Sequence, residues 1–577
     1  MRDNPTSLVA RSMKQPGDQQ ADRDIFNIDN KGTVTVINQP VSQRSRSESL
    51  LLQAVKQEVI SRLDQSLHNA VFINLSKQSQ PQQVKRPWDA EIKIGSKSPE
   101  ALPAETTILE VFDRPGIAGR LLILGEPGAG KTTTMLDLAG KLCDRAEQNA
   151  TAFIPVLLNL SSWKDLKQTI TAWLVEELKS KYGVRKDVGT QWLAEKQLLP
   201  LLDGLDEVKP EHQESCVQAI NRWLESDDRP PLLAVCCRRE EYEKVVRGQW
   251  QAETEEPQDE TRMHLNGAIL LQTLTDEQIQ AYLTAANQPE LWQMLRHDKA
   301  LWELIRTPLW LSITLLSYEG LSLTQWQQTT STEQRLFLLL DAYVERMLHR
   351  HLEQTVYKNR KPPNAKQTRH WLVFLAKQLQ EESQTEFLIE KLQPSWLKTT
   401  RQQWTYRQVH ALIGMLIVGL SSPGGRTIGK LGHDQVGGLD VELKGSEMDE
   451  KLIPNQGIWK SAVDAALMLL ISGLISGLIG GLVVGLAVGL NFGLNFGLIS
   501  GLIGGLRGGL IGSGQACIQH FALRWILFRS GNAPWNYARF LDYCTERLFL
   551  QRVGGRYRFI HKSLQEHFAR MGNGEWK

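Results

Sequence analysis

The chain has 577 residues, with 66 lysines and arginines against 64 aspartates and glutamates, and a formal net charge of +2. This length exceeds what one hydrophobic core holds, so roughly three to five domains are expected. The balanced charge gives no electrostatic case for nucleic acid as a partner. The six cysteines form no C-x-x-C pair, which indicates neither a zinc site nor a disulfide framework and is typical of a reduced, cytoplasmic setting. The charged N-terminus is followed by no apolar core, so no signal peptide is expected.

The first 48 residues are rich in Gln, Asp, Ser and Arg and are expected to be mostly disordered, apart from a β-prone motif at 25–38. In that motif two apolar runs flank an N-x-G turn. The pattern favours a small hairpin or an edge strand. Its low charge and high β-propensity also fit a self-stacking cross-β segment.

Residues 49–110 are expected to form a helical adaptor. Four apolar residues recur there at helical spacing, namely Leu52, Val55, Val59 and Leu63. They predict an amphipathic helix that packs on the domain that follows.

The segment 121–134 reads LLILGEPGAGKTTT and combines a buried strand, a glycine-rich loop and a helix. It matches G-x-x-x-x-G-K-[ST] at every fixed position, and its flanks disfavour an accidental glycine turn. Backbone N–H groups of such a loop point at phosphate oxygens, Lys131 reaches the β- and γ-phosphates, and Thr132 ligates Mg²⁺. The predicted nucleotide-binding residues of this segment are Gly125, Glu126, Pro127, Gly128, Ala129, Gly130, Lys131, Thr132 and Thr133.

Strand and helix patterns alternate over 111–262, which predicts a P-loop NTPase domain of the α/β class with a parallel sheet. Asp203 follows the apolar run 198–202, where a P-loop enzyme holds Mg²⁺. Either Asp206 or Glu207 would polarise the attacking water. Arg238 ends another apolar run and would touch the γ-phosphate. The alternative for each charge is a solvated surface group.

The chain resembles the NACHT domain, within the STAND class of signalling P-loop NTPases. The resemblance is in three features: GEPGAGKTT, LLDGLDE and a strand ending in Cys-Arg. The resemblance covers about residues 50–350 and again 535–570. It implies ATP or ADP and Mg²⁺ as cofactors, Glu207 as the catalytic acid and Arg238 as a sensor. Relatives often carry a hydroxyl before this arginine, whereas the chain has Cys236-Cys237.

Residues 263–350 are expected to form a small helical domain, all helical from residue 264 onward, with a capping box at Thr275 and Gln278. The resemblance implies that Pro308 packs near the adenine; the alternative is a plain helix stop. Residues 351–460 are expected to be a helical or linker region.

A glycine repeat follows, and no Asp, Glu, Lys, Arg or His occurs from 465 to 506. This stretch is too long for one membrane-spanning helix, so 461–513 is predicted to be a transmembrane hairpin, with its turn at 491–493 or 495–497. Glycine recurs every fourth residue from Gly473 to Gly509, which favours close helix packing. A soluble β-solenoid is the alternative. Basic residues at both ends would place them on the cytoplasmic side, namely Lys451, Lys460, Arg507, Arg524 and Arg529.

The tail, 520–577, is expected to be a winged-helix-like segment. Residues 548–553 and 556–561 flank Gly554-Gly555 and predict a β-hairpin, with a helix starting at Lys562. The string from Phe559 to Ala569 resembles the end of a NACHT winged helix, which implies that His561 contacts the ADP β-phosphate. A structural histidine is the alternative.

These features together predict a slow ATPase of the STAND type at the cell membrane, with its NTPase domain on the cytoplasmic side. ADP would hold it closed, and ATP would open it into a homo-oligomer that acts on membrane lipid. The resemblance implies a bacterial defence or cell-death role with an unidentified trigger or sensor partner. The alternative is a membrane scaffold or transport-coupled ATPase whose hairpin is only an anchor; a weaker one places the output in the first 40 residues.

Overall fold

The computed structural model describes residues 25–28, 34–37, 44–67, 90–94, 100–102, 106–247, 262–320, 323–329, 331–350, 356–358, 360–419, 456–509 and 514–571. Residues 1–45 and 46–577 form two units. In the first, β1 (Ile25–Ile28) and β2 (Val34–Ile37) pair antiparallel, which confirms the predicted hairpin strands. The expected N-x-G turn, the expected N-terminal disorder and Lys451 lie outside the described residues.

An α/β domain with a seven-stranded sheet begins the second unit. Its strands are β3 (Ala90–Ile94), β4 (Glu100–Ala101), β5 (Arg120–Gly125), β6 (Ile154–Asn159), β7 (Leu198–Asp203), β8 (Leu233–Arg238) and β9 (Gly267–Leu271). They lie in the order β4-β3-β9-β5-β8-β7-β6. The five strands from β5 to β9 are mutually parallel, so by chain order they run 2-3-4-1-5 across the sheet, which is consistent with a P-loop-like α/β domain.

Three strands of this sheet were not predicted from the sequence. Residues 49–110 were expected to be a helical adaptor, but β3 and β4 lie within them and pair as strands, since AEIKI alternates apolar and charged residues. Residues 264–350 were expected to be helical, but β9 (Gly267–Leu271) pairs in parallel with β5. The run GAILL has no helical periodicity and is too short for a helix, and its burial alternates along the chain as in a strand. The sheet therefore extends beyond residue 262.

Helices cover the sheet, and the predicted adaptor helix is among them. They are α1 (Arg46–Asp64), α2 (Ile108–Asp113), α3 (Lys131–Gln148), α4 (Ile170–Glu177), α5 (Lys186–Ala194), α6 (Pro210–Glu225) and α7 (Arg239–Arg247). Leu52, Val55 and Val59 of α1 are buried in the hydrophobic core of the α/β domain, as their spacing predicts. The core cluster contains side chains from β5 to β9 and from the helices that pack with them.

A mostly helical region follows, with a hydrophobic core of its own. Its helices are α8 (Asp276–Ala285), α9 (Leu291–His297), α10 (Lys299–Ile305), α11 (Pro308–Ser317), α12 (Leu323–Gln328), α13 (Thr332–His349), α14 (Ala365–Glu381) and α15 (Thr400–Gly419). The capping box at Thr275 and Gln278 is present, with N–H to side-chain distances of 2.8 and 3.3 Å. Pro308 starts α11, where its missing N–H leaves no bond unmade.

The glycine repeat forms two long helices, α16 (Gln456–Val488) and α17 (Leu490–Gly509), packed against each other. A Cβ on Gly501 would lie 2.9 Å from the Gly473 carbonyl oxygen, so only glycine permits this approach. The turn is at Gly489, which has φ of +114°. The expected turns at 491–493 and 495–497 are wrong, because both segments continue α17.

The leucines that follow the glycines face outward. Leu486 is 82% exposed and Leu490 is 78% exposed. Among the described helices, only Ser461–Val488 is long and apolar enough to cross a membrane, with a mean hydropathy of 2.4 in its best window. The predicted helix pair is thus present and mostly exposed, and its membrane insertion stays a prediction.

The C-terminal segment returns to the helical region. It contains α18 (Gln515–Arg529), α19 (Tyr537–Glu546) and α20 (Lys562–Met571), and a sheet in which β12 (Arg556–Phe559) lies between β10 (Glu386–Phe387) and β11 (Leu550–Val553). The predicted hairpin and the following helix are confirmed. Arg547 donates to the carbonyl oxygens of Met347 and Leu348 at 2.7 and 2.8 Å, which fixes this segment on α13.

Candidate functional site

The sequence-predicted site residues meet around one cavity of about 200 Å³. It lies where the glycine loop, the ends of β7 and β8, the start of α11 and the turn between β12 and α20 converge. The predicted residues that line it are Pro127, Gly128, Gly130, Lys131, Thr132, Thr133, Asp203, Asp206, Glu207, Arg238, Pro308 and His561. Gly125, Glu126 and Ala129 belong to the same loop but do not line the cavity.

The glycine loop curls around the amino group of Lys131. This group donates to the carbonyl oxygens of Gly125 and Glu126 at 2.9 and 3.0 Å. Gly128 and Gly130 have φ of +81° and +96°, which other residues adopt only with strain. Lys131 also begins α3, so the positive end of that helix faces the cavity. Loop, lysine and helix end together form a site for an anion.

Thr132 and Asp203 lie side by side at the floor of the cavity. The Thr132 hydroxyl donates to Asp203 Oδ2 at 3.0 Å. Parallel pairing of β5, β8 and β7 brings the ends of these strands to one edge of the sheet, which explains why residues far apart in sequence meet. A hydroxyl and a carboxylate are both hard oxygen donors, the type that Mg²⁺ prefers. The pair therefore suits the predicted metal role.

The two acidic candidates for catalysis have different surroundings. Asp206 holds Arg238: its Oδ2 lies 2.7 Å from Arg238 Nε, and its Oδ1 accepts the Arg238 backbone N–H at 3.2 Å. Glu207 accepts instead from the Asn159 amide at 2.8 Å. Burial, and then the charges of Asp203 and Asp206, raise the pKa of Glu207. Asp206 therefore orients Arg238, and Glu207 is the better candidate for accepting a proton.

Two residues reach the cavity from later in the chain. Leu309, next to Pro308, donates its backbone N–H to the Gly128 carbonyl oxygen at 3.3 Å, so α11 rests on the glycine loop. The Nδ1 atom of His561 accepts the Ser563 N–H at 3.1 Å. Burial, and next the charge of Arg238, lowers the pKa of His561 to about 3. The imidazole is therefore neutral and offers Nε2–H as a donor.

Several polar residues of the cavity were not predicted from the sequence. They are Arg62, Ser66, Ser312, Gln551, Arg558 and Lys562. Arg62 had a detectable signal, because it follows Val55 and Val59 on the buried side of α1, where a charge is unexpected. Arg558 had none, since alternating charges in a hairpin are ordinary. Among the described lining residues, three carboxylates face five cations, so this part of the cavity carries a positive excess suited to a polyanion. The cations are Arg62, Lys131, Arg238, Arg558 and Lys562.

No protein-family model matches the chain, and a search of curated proteins finds no match. The proposed function therefore depends on the parallel sheet, on the positions of the motif residues and on the sequence resemblance described above.

Proposed function

We propose that the chain is a nucleotide-operated switch of the NACHT kind, within the STAND class, that binds ADP in a closed form and ATP with Mg²⁺ in an open, oligomeric form. The observation that carries this proposal is the convergence of the glycine loop, Asp203, Arg238 and His561 on one cavity. The loop and its strand lie near residue 125, whereas His561 follows β12 of the C-terminal hairpin. A ligand in this cavity would touch both, which is what a closed switch requires.

The residues present fit a nucleotide phosphate chain and its metal. Lys131 and the N-terminus of α3 would bind phosphate oxygens, while Thr132 and Asp203 would ligate Mg²⁺. Bound Mg²⁺ supplies neutralisation of phosphate charge. Asp206 orients Arg238 toward the cavity, and Glu207 would accept a proton from water. The neutral imidazole of His561 would donate a hydrogen bond to a phosphate oxygen. This is the role that the resemblance to a NACHT winged helix implies.

We further propose that the α16–α17 pair acts on a membrane. The leucine stripe on its outer surface supports this, because contiguous apolar patches of this length are rare on proteins that meet only water. The repeated glycines allow the two helices to pack closely, and each helix makes its backbone hydrogen bonds internally, as a lipid environment requires. A bacterial defence or cell-death role follows only from the family resemblance.

The test is dye leakage from liposomes with the full chain, in ATP, in ADP and without nucleotide. We expect leakage with ATP, and loss of both leakage and nucleotide binding in Lys131→Ala. Lys141→Ala is the matched control, since Lys141 lies on the same helix and pairs with Asp137 on the surface. Nucleotide binding with membrane association but no leakage would favour the anchored ATPase. No uptake of ATP or ADP would refute the switch.

A further inference from the structure

Arg62 is a buried cation whose hydrogen-bonding capacity is mostly unused. The residue is 4% exposed and lines the cavity. Its Nη1 donates to Glu58 at 3.2 Å, while Nε and Nη2 have no hydrogen-bond partner among the described residues. Its Nη2 lies 3.8 Å from Asp203 Oδ2, which is an ion-pair distance and too long for a hydrogen bond. A buried guanidinium in this condition is destabilising unless an acceptor is supplied.

Glu58 is not free to neutralise Arg62 alone. It also accepts from Lys181 Nζ at 2.8 Å and from the Tyr182 hydroxyl at 2.9 Å. Its negative charge is therefore shared between two cations. The cavity side of Arg62 retains positive charge directed at the site of the predicted phosphates.

Arg558 faces the same cavity from the C-terminal hairpin. Its Nε donates to Gln551 Oε1 at 3.3 Å, and the Gln551 amide in turn donates to the Arg62 backbone carbonyl oxygen at 2.7 Å. One glutamine thus connects the two arginine-bearing segments. Burial, and next the charge of Arg62, lowers the pKa of Arg558, whereas Asp203 and Glu207 act in the opposite sense. Arg62 and Arg558 therefore both direct positive charge at the cavity, and Asp203 and Glu207 offset it in part.

We propose that Arg62 and Arg558 form a two-arginine clamp for the phosphate chain of the bound nucleotide, opposite Lys131. This inference rests on the proposed nucleotide function and adds two binding residues to it. A guanidinium presents paired N–H donors that match two phosphate oxygens. Because Arg62 is on α1 and Arg558 is on β12, the clamp makes phosphate occupancy hold the N-terminal helix and the C-terminal hairpin together.

The test is calorimetric binding of ADP, ATP and inorganic pyrophosphate to the full chain. Arg62→Gln and Arg558→Gln should each weaken binding of all three by about tenfold to a hundredfold, the range for a hydrogen bond to a charged group. Arg552→Gln is the matched control on the same hairpin, because Arg552 is partly exposed and does not line the cavity. Arg62→Lys keeps the charge without the paired donors, so it should recover only part of the loss.

The outcomes separate the clamp from the switch. If the wild type binds the nucleotides and both glutamine variants bind them with the same affinity, the clamp is overturned and the nucleotide function still stands. Absence of wild-type binding to ADP and ATP would refute both. If Arg62→Gln does not fold, Arg62→Lys and Arg558→Gln still decide the matter, since full wild-type affinity in those two variants overturns the clamp.

Discussion

Arg556 connects the C-terminal hairpin to the α/β domain through a buried ion cluster. Its Nη1 lies 2.9 Å from Glu386 and 3.4 Å from Glu177, and its Nη2 donates to Ser180 at 2.7 Å. Burial raises the pKa of Glu386, but Arg556 and then Lys181 outweigh it and bring the pKa to about 2. At about 1.4 kcal/mol per pH unit, a fall from the ordinary 4.5 to about 2 corresponds to about 3 kcal/mol.

We expect Arg556→Met to lower the free energy of the first unfolding transition by about 3–5 kcal/mol, because it leaves two buried carboxylates without their cation. The assay is urea unfolding of the full chain followed by tryptophan fluorescence. Arg552→Met, on the same hairpin and partly exposed, should change this free energy by less than about 0.5 kcal/mol. A loss below about 1 kcal/mol in Arg556→Met would refute the reasoning.

The same cluster predicts a dependence on pH. The folded-state pKa of Glu386 is depressed, so its stabilisation is complete above pH 4.5 and is lost as pH falls toward about 2. In Arg556→Met this acid sensitivity should be much smaller, because the largest charge that lowers the pKa of Glu386 is then absent and only weaker ones, such as that of Lys181, oppose burial. In a double-mutant cycle, Glu386→Gln should cost much less in the Arg556→Met background than in the wild type. Equal costs in the two backgrounds would show that the pair is not coupled.

Three further predictions concern other parts of the molecule. Gly501→Leu should separate α16 from α17 and lower the melting temperature of the helix pair, measured by circular dichroism in vesicles. Leu502→Ala, at a position that is 67% exposed, should leave this melting temperature nearly unchanged. Glu207→Gln should lower ATP hydrolysis by about a hundredfold or more in a phosphate-release assay while preserving ADP affinity. Because the pKa of Glu207 is raised, its carboxylate is protonated earlier as pH falls. The rate of wild-type hydrolysis should therefore begin to decline, as pH is lowered, at a higher pH than with an ordinary glutamate. His561 and His567 both have pKa values lowered to about 3, chiefly by burial, so the folded state should weaken as pH falls from 6.5 toward 3. At pH 5.5 we expect a loss of about 1 kcal/mol for each histidine, and His561→Gln should remove its share of the shift in melting temperature; an unchanged shift would contradict this assignment.

The parts of the fold that were predictable are those with a local physical signature. Four of the five parallel strands are runs of buried apolar residues, and the glycine loop has a fixed spacing next to one of them. The strand Gly267–Leu271, which lies between β3 and β5, was not predictable, since five residues fit several structures until pairing with its neighbours decides. The turn between α16 and α17 was not predictable either, because Gly489 is one of ten equally spaced glycines.

Contacts between distant segments account for what sequence analysis missed in the site. Lys131, Thr132 and Asp203 follow from local motifs, since each lies at the end of a strand or the start of a helix. Arg62 and Arg558 join them only because β11 packs beside α1, where Gln551 connects the two. A propensity or a motif describes one segment, so it cannot predict which side chains a second, distant segment places in a cavity.

The position of the cavity also constrains how a ligand there would reach the helix pair. The hairpin that carries Arg558 and directly precedes His561 packs in the same hydrophobic core as α18, through Phe559 and Leu527. The α18 helix follows α17 after residues 510–513 and lies against α16. A change in the hairpin's docking would therefore disturb the core that holds the base of the helix pair. ATP and ADP would control the helix pair only by the difference in their affinities for the docked and the undocked hairpin. Arg556 stabilises docking but lies outside the cavity. Variants of Arg556 should therefore change the response of the helix pair to ATP and ADP, although no phosphate-binding residue is altered.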